Sequence, residues 1–382
     1  TEPFMKSPPK PFPYPLYVTR PFLPDLARYQ ERLASIWSDR WLTNKGRQHD
    51  ALHDALRSFL GYDNLSLLNN ATQGLCIALK ALDIQGEVIT TPFTFPATPH
   101  AISWNNATPV FADIDSRRLT IDPQSIESLI SPRTEAILGV HVYGIPCDVE
   151  AIDQIAKRHG LKVIYDAAHV FGTRLNQTPI GQFGDVSVFS FHATKLFHTA
   201  EGGCAVSPSP ALIKTIDLLK NFGIEDEENV SAPGVNGKLN ELQAALGCCV
   251  LEEVQTELLS RQRVLSIYQA RLASIAELEL VRIPGEASNS LQYFVVRVPS
   301  RVTGISRDYL HNALRQLNIV TRKYFFPLCS TFPHYRNSLS VRIPLPKAES
   351  AASEVLALPF HGQLTDDEVH GICDAISYLM TK

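Results

Sequence analysis

The chain is poor in the features that mark several large protein classes. Its seven cysteines, at positions 76, 147, 204, 248, 249, 329 and 373, form no CxxC pair. An odd number at wide spacing argues against a disulfide framework and against a structural zinc site. Cys248 and Cys249, following a helical stretch, read as buried small residues, and the whole pattern fits a reducing cytoplasm. No stretch reaches the roughly 20 apolar residues of a membrane span, and the N-terminal region lacks the apolar core of a secretory signal. The net charge is −4, with no long block of one sign, which argues against a nucleic-acid groove or a basic membrane surface. No GxGxxG follows the first strand and no GxxxxGK[ST] occurs, so dinucleotide and nucleoside-triphosphate sites lack their phosphate loops. No His/Asp/Cys cluster has metal-ligand spacing. His141 and His169 lie on different strands and can still converge, which leaves a metal site weakened and open. No internal repeat is present. A small-molecule partner is the simplest expectation.

What is present is a long chain with ample core. Its 382 residues are 45% hydrophobic, which favours two domains over one. Prolines at 3, 8, 9, 11, 13, 15 and 21 exclude a continuous helix at the start and predict an extended arm over residues 1–17. Residues 22–36 and 48–60 read as helices around the loop WSDRWLTNKG. From about 60 to about 215, strand-like and helix-like segments alternate, the signature of a mostly parallel sheet covered by helices on both faces. The helix DVEAIDQIAKRHG closes at Gly160. NNAT, PFTF, HVYG, DAAH and SFHATK all fall at strand ends, where ligands bind in such sheets. Residues 240–275 read as one long helix with room for a bend. Beyond about 276 the pattern becomes mixed α+β and ends in a helix over 365–380. The expected organisation is an arm (1–17), a large α/β domain (18–250) and a smaller C-terminal domain (251–382).

The chemistry concentrates in Asp166, His169, Ser190, His192, Lys195 and the pair Gly202-Gly203. A lysine near a carboxylate at the carboxyl edge of a sheet can be a Schiff-base amine or a structural ion pair. Two features bear on the choice. Asn70-Ala71-Thr72 leads into a helix, whose start binds phosphate through free N–H groups, and Ser190 stands at a strand end suited to a phosphate oxygen. A phosphorylated cofactor bearing an aldehyde would use all of these parts.

The run SFHATKLFHTAEGG resembles the cofactor-lysine segment of the DegT/DnrJ/EryC1/StrS family of sugar aminotransferases. NNATQGL, TTPFTFPAT, PVFADID, VHVYGIPCDVEAI, VIYDAAHVFG and GVNGKLNELQAALG resemble further family segments in the same order, so the likeness covers nearly the whole chain. It implies an α/β architecture of fold-type I, with a mixed, mostly parallel seven-stranded sheet sandwiched by helices and a smaller α+β domain. It implies pyridoxal 5′-phosphate (PLP) as cofactor, tethered by Lys195, which also shuttles the substrate proton. Asp166 pairs with the pyridine nitrogen, and Phe95 stacks on the ring or, in the plainer reading, packs in the core. Ala71, Thr72 and Ser190 resemble the phosphate ligands, and His169 falls where the family has a Gln or His near the cofactor hydroxyl, or else packs behind the residues that touch the cofactor. His192 is either catalytic, orienting the lysine loop, or structural. Asn236 resembles the residue that reaches the neighbouring subunit's cofactor phosphate, which implies a homodimer with shared active sites.

Thr43, Arg322 and Tyr324 fall in segments that resemble the family's substrate side, Arg322 binding the carboxylate of the amino donor, the sugar diphosphate or neither, and His141 and Tyr143 at the preceding strand end are expected to line the pocket. The expected substrates are L-glutamate and a nucleotide-linked keto sugar. VTRPFLP, WLTNKG and the segments above resemble the family members that aminate dTDP-4-keto-6-deoxy-D-glucose to dTDP-4-amino-4,6-dideoxy-D-glucose. A 3-keto substrate, another nucleotide, or a regulatory protein without catalysis are the rival readings. A dehydratase of the family is disfavoured, since those replace the lysine by histidine and position 195 is Lys.

Overall fold

The computed structural model describes residues 8–380, apart from the side chains at 302 and 303. Residues 1–7 of the expected arm lie outside the described residues. The central sheet has seven strands: β1 (Leu65–Leu68), β2 (Glu87–Thr90), β3 (Thr108–Phe111), β4 (Thr134–Val140), β5 (Lys162–Asp166), β6 (Val186–Ser190) and β7 (Gly203–Val206). Their spatial order is β1-β7-β6-β5-β4-β2-β3. β7 runs antiparallel to both β1 and β6, and the other neighbours are parallel. This is the mixed, mostly parallel α/β sheet expected from the sequence, and with the smaller α+β lobe it has the architecture of the fold-type I aminotransferases.

Strands covered on both faces read as almost continuous apolar runs, because alternate side chains enter different cores. Val88 of β2 packs in one cluster and Ile89 in the other. In β5, Ile164 joins the first cluster while Val163 and Tyr165 join the second. The covering helices are α1 (Leu26–Asp39), α2 (Arg47–Leu60), α3 (Ala71–Ala81), α4 (Ala97–Trp104), α5 (Pro123–Leu129), α6 (Val149–His159) and α7 (Pro210–Leu219). Side-chain caps fix several of their starts: Asn70 accepts from the Gln73 amide at α3, and Asp148 from the Ala151 amide at α6. A side-chain acceptor there satisfies one of the amides that the first turn leaves unpaired. Gly160, with φ of 67°, ends α6 as its position in the sequence predicts.

The long helix α8 (Glu241–Leu272) is capped by Asn240 and runs on as a single helix through position 250. Ala244, Cys248 and Val254 pack in the second core of the large lobe, whereas Val264, Tyr268 and Leu272 pack in a third core. The change of core therefore falls within α8, beyond position 250. The third core belongs to the small lobe, built on the antiparallel strands β8 (Glu279–Leu280), β9 (Phe294–Arg297) and β10 (Val355–Leu358). Helices α9 (Arg307–Gln316), α10 (Pro346–Glu354) and α11 (Asp366–Met380) complete it. The N-terminal segment does not hang free where it is described: Leu16–Tyr17 pairs in parallel with Ile319–Val320.

Deep in α8, Glu257 and Arg261 form a buried ion pair at 2.7 Å, with side chains 4% and 1% exposed. The guanidinium also donates to the Leu291 carbonyl, and Glu257 accepts from the Gly362 amide. A guanidinium cannot shed its proton to escape burial. Glu257→Ala is therefore expected to cost about 3–5 kcal/mol, read as a fall in the urea midpoint of the intact protein.

Candidate active site

The carboxyl ends of β5 and β6 lie side by side, β7 begins against the start of α3, and Asp166, Ser190 and the loop that carries Lys195 lie at that edge. Asp166, the last residue of β5, is buried. Its Oδ2 accepts from the Thr98 hydroxyl at 2.8 Å and its Oδ1 from the Ala168 amide at 3.1 Å. Among the described residues no cation lies in salt-bridge contact with it. Burial raises its pKa, while the two hydrogen bonds and the Lys195 charge pull the other way.

Lys195 follows β6 in a tight loop, where its amide donates to the His192 carbonyl at 2.9 Å. The side chain is half-buried. Burial lowers its pKa to about 8 and the charge of Asp166 opposes that shift. The ammonium is thus closer to losing its proton at neutral pH than an ordinary lysine. Its Nζ lies 6.0 Å from the centroid of the Tyr293 ring.

His169 sits beside this pair. Its Nδ1 accepts the Tyr143 amide at 3.1 Å, so the proton of the neutral ring is on Nε2. Burial first, and the Lys195 charge second, hold its pKa well below the usual imidazole range. The ring stacks on Phe325 with centroids 6.0 Å apart and meets Tyr293 edge-on at 5.0 Å. Tyr143 adopts a positive φ of 59°, and its hydroxyl donates to the Tyr324 carbonyl.

At the helix start, Ala71 is half-buried and Thr72 exposed. Ser190 stands at the end of β6, accepting the His192 amide at 3.3 Å and keeping its own hydroxyl proton free to donate. Gly203 lies opposite Ser190 in the sheet register. A Cβ there would sit 2.9 Å from the Ala71 nitrogen and 2.8 Å from the Phe189 carbonyl oxygen. The second glycine of the GG pair is what lets β7 pass this close to the start of α3.

Phe95 is 59% exposed in the turn between β2 and α4, whereas Phe93 is fully buried. The plainer reading of Phe95 as a core residue is thereby excluded. His192 is exposed, with Nδ1 2.8 Å from the Thr194 hydroxyl and Nε2 3.7 Å from Glu201; the ring pins its own loop. His141 is fully buried and stacks on Tyr165 at 4.7 Å. Its Nδ1 accepts from the Cys147 amide, and burial lowers its pKa to about 3. Expected on the substrate side, it presents no surface to a ligand here, because its ring turns into the core between β4 and β5. Thr43, Arg322 and Asn236 are exposed, and Tyr324 is half-buried. Asn236 lies on a loop tied to β1 through the Asn69 side chain, which donates to the Asn236 carbonyl at 3.2 Å. Sequence reasoning missed Thr98, which orients Asp166, and Tyr293, which faces the amine. Tyr293 lay within a strand-like aromatic run, but nothing in the order of residues tied either one to the site. Among the described residues no three His, Cys, Asp or Glu side chains group as a metal site would need, and no helix is long and apolar enough to cross a membrane.

This fold, with a lysine and a carboxylate at the edge of its sheet, defines a class: the fold-type I aminotransferases, whose cofactor is PLP. The profile of the DegT/DnrJ/EryC1/StrS aminotransferase family matches residues 26–377, and the chain belongs to that family. It is 43% identical over 362 residues to a dTDP-4-amino-4,6-dideoxy-D-glucose transaminase of Shigella dysenteriae, covering 95% of this chain and 98% of that protein. A protein of the same name from Escherichia coli is 42% identical over 358 residues, 92% of this chain and 95% of the other. The crystal structure of DesI in the presence of its TDP-sugar product superposes with a TM-score of 0.93 at 35% identity, covering 98% of this chain and 95% of that one.

The geometry predicts how Lys195 titrates in cofactor-free protein. Acylation of its amine, followed by peptide mass analysis, is expected to rise through a midpoint near pH 8, well below the usual lysine range. Because the Asp166 charge raises that midpoint, Asp166→Asn is expected to move it lower still.

Proposed function

We propose that the chain uses PLP to transfer the amino group of L-glutamate to C4 of dTDP-4-dehydro-6-deoxy-D-glucose, giving dTDP-4-amino-4,6-dideoxy-D-glucose. The observation that carries the reaction is the half-buried Lys195 amine beside a buried Asp166 that no cation among the described residues touches. That donor set fits PLP. An amine whose pKa is lowered answers an aldehyde. A buried carboxylate without a contacting cation answers a protonated ring nitrogen, and a helix start with two nearby hydroxyls answers a phosphate. When bound, PLP supplies an aldehyde and an electron-withdrawing pyridinium ring.

The protein's own residues do the rest. The neutral amine of Lys195 would hold the cofactor through its aldehyde carbon and, when free of it, would move the proton at the amino-donor carbon and at the acceptor carbon. Asp166, held by Thr98 and the Ala168 amide, would keep the ring nitrogen protonated. The Ala71 amide with the Thr72 and Ser190 hydroxyls would hold the phosphate, and the exposed ring of Phe95 would provide the stacking face. His169, whose Nε2 carries the proton, would offer it to the ring hydroxyl. His192 acts through the loop it pins. Thr43, Arg322 and Tyr324 belong on the substrate side, and the buried Tyr143 supports Tyr324 from behind through its hydroxyl.

The choice of sugar rests on the two relatives above 40% identity that share one name and nearly the full length. The reading includes a homodimer in which Asn236 reaches the partner's cofactor phosphate. Its support is the loop around Asn236, which exposes Phe222, Ile224, Val230 and Val235 to solvent.

Borohydride reduction of the PLP-loaded protein, with peptide mapping, should fix the cofactor on Lys195; an unmodified Lys195 would overturn the mechanism. Product analysis with L-glutamate and the 4-keto sugar should place nitrogen at C4. Amination at C3 would replace the substrate assignment while leaving the chemistry. Lys195→Ala should abolish turnover beyond the roughly 10²–10⁴-fold of a typical general acid–base residue, because one amine serves as both anchor and shuttle. Gly203→Ala should displace the Ala71 amide and raise the dissociation constant for PLP, measured by equilibrium titration of cofactor-free protein.

A further inference from the structure

The small lobe touches the lysine loop through the segment Ser290–Tyr293. Gln292 is 3% exposed. Its Oε1 accepts from the Leu196 amide at 3.0 Å and its Nε2 donates to the Thr194 carbonyl at 3.0 Å. Those two groups belong to the peptide units immediately before and after the Lys195 Cα. Each peptide unit is planar, so the relation between the two is the φ and ψ of the residue they flank. A single rigid carboxamide that engages both therefore sets the backbone of Lys195 and with it the direction in which Cβ leaves the chain.

The neighbours of Gln292 make it a fixed anchor. The Ser290 hydroxyl donates to the His169 carbonyl at 2.6 Å. Leu291 stands at φ 52°, a conformation that a leucine holds only where its surroundings impose it. The Leu291 carbonyl accepts from the buried Arg261, and its amide donates to Asn289 Oδ1 at 2.8 Å. Tyr293 turns its ring toward the Lys195 amine and the edge of His169. Four consecutive residues of the small lobe thus brace His169 and the lysine loop together.

We infer that Gln292 is a positioning residue for Lys195: its carboxamide clamps both peptide units flanking the lysine and so couples the small lobe to the aim of the amine. This rests on the reading of Lys195 as the cofactor-bearing residue. The clamp holds the amine in the half-buried place where desolvation lowers its pKa, so loosening it lets the amine reach water and titrate closer to an ordinary lysine.

Gln292→Leu and Gln292→Glu in the full-length chain test this. The leucine variant loses both bonds. The glutamate variant can make both only while its carboxyl is protonated, since the carboxylate has no donor for the Thr194 carbonyl. For Gln292→Leu, kcat with L-glutamate should fall about tenfold or more while KM changes little, the signature of a misaimed group rather than lost substrate binding. In cofactor-free protein the acylation midpoint of Lys195 should climb. For Gln292→Glu, turnover relative to the native protein at the same pH should recover on the acid side and fade as pH rises. Native kcat and a native Lys195 midpoint in Gln292→Leu would overturn the inference, as would two variants equally impaired at every pH with the Lys195 midpoint unmoved. If Gln292→Leu does not fold, the pH dependence of Gln292→Glu decides alone. Borohydride trapping of native protein is run alongside. Its failure would overturn the cofactor role of Lys195, whereas the acylation midpoints report on the clamp whether or not PLP is bound.

Discussion

A half-buried amine and a buried carboxylate that feel each other's charge, at the carboxyl edge of one sheet, form the constraint around which this molecule is organised. Burial works against the charged form of each partner, and the charge of each works against the other's shift. The balance leaves Lys195 within reach of neutrality. It exists only because β5 and β6 are adjacent, parallel strands, so that Asp166 and the loop after Ser190 emerge at the same edge. The antiparallel β7 then has to return past the start of α3, and only a residue without a side chain fits at position 203. One pairing of strands thus brings the carboxylate, the amine and the phosphate-ready helix start to a common place.

Hydrogen bonds to these groups decide orientation more than stability. Thr98 on Asp166, the Tyr143 amide on His169, and Gln292 on the lysine loop each fix a direction: a carboxylate plane, a tautomer and a backbone angle. Such bonds add modestly to net stability. In a catalytic site their value is that a displaced group loses rate steeply. The strained backbone at Tyr143 and Leu291 fits the same economy, since both residues flank contacts to His169 or Lys195.

The parts of the site that were legible in the sequence are those set by local order. Lys195, Asp166 and Ser190 stand at strand ends, and strand ends follow from alternating apolar runs and the residues that break them. The start of α3 was legible because Asn70 is a capping residue before a helical pattern. Side-chain direction was less so. His141 and Tyr143 share one strand end, yet His141 turns wholly into the core and Tyr143 keeps only a sliver of surface. Phe93 and Phe95 have the opposite fates within three residues because the chain turns between them. The chain passes from one core to another within α8, without any break in its helical pattern. Thr98, Gln292 and Tyr293 were not legible as site residues at all. Their partners are distant in the chain, and a glutamine in a strand-like run looks like any polar surface residue until the fold buries it.

The way the lobes join explains why small-lobe residues matter at the sheet edge. One apolar cluster contains Val88, Leu138 and Ile164 from the large lobe together with Val295, Phe325, Leu328, Val355 and Ala357 from the small one. Close-packed interiors transmit displacement rather than absorb it. A small lobe that shares its core with the sheet is therefore a rigid support, and a carboxamide mounted on it can hold a loop of the other lobe in place. Were the two lobes packed as separate bodies, the same pair of hydrogen bonds would move with every shift between them and could aim nothing. The shared core is what allows a residue far from the cofactor lysine in sequence to set where that lysine points.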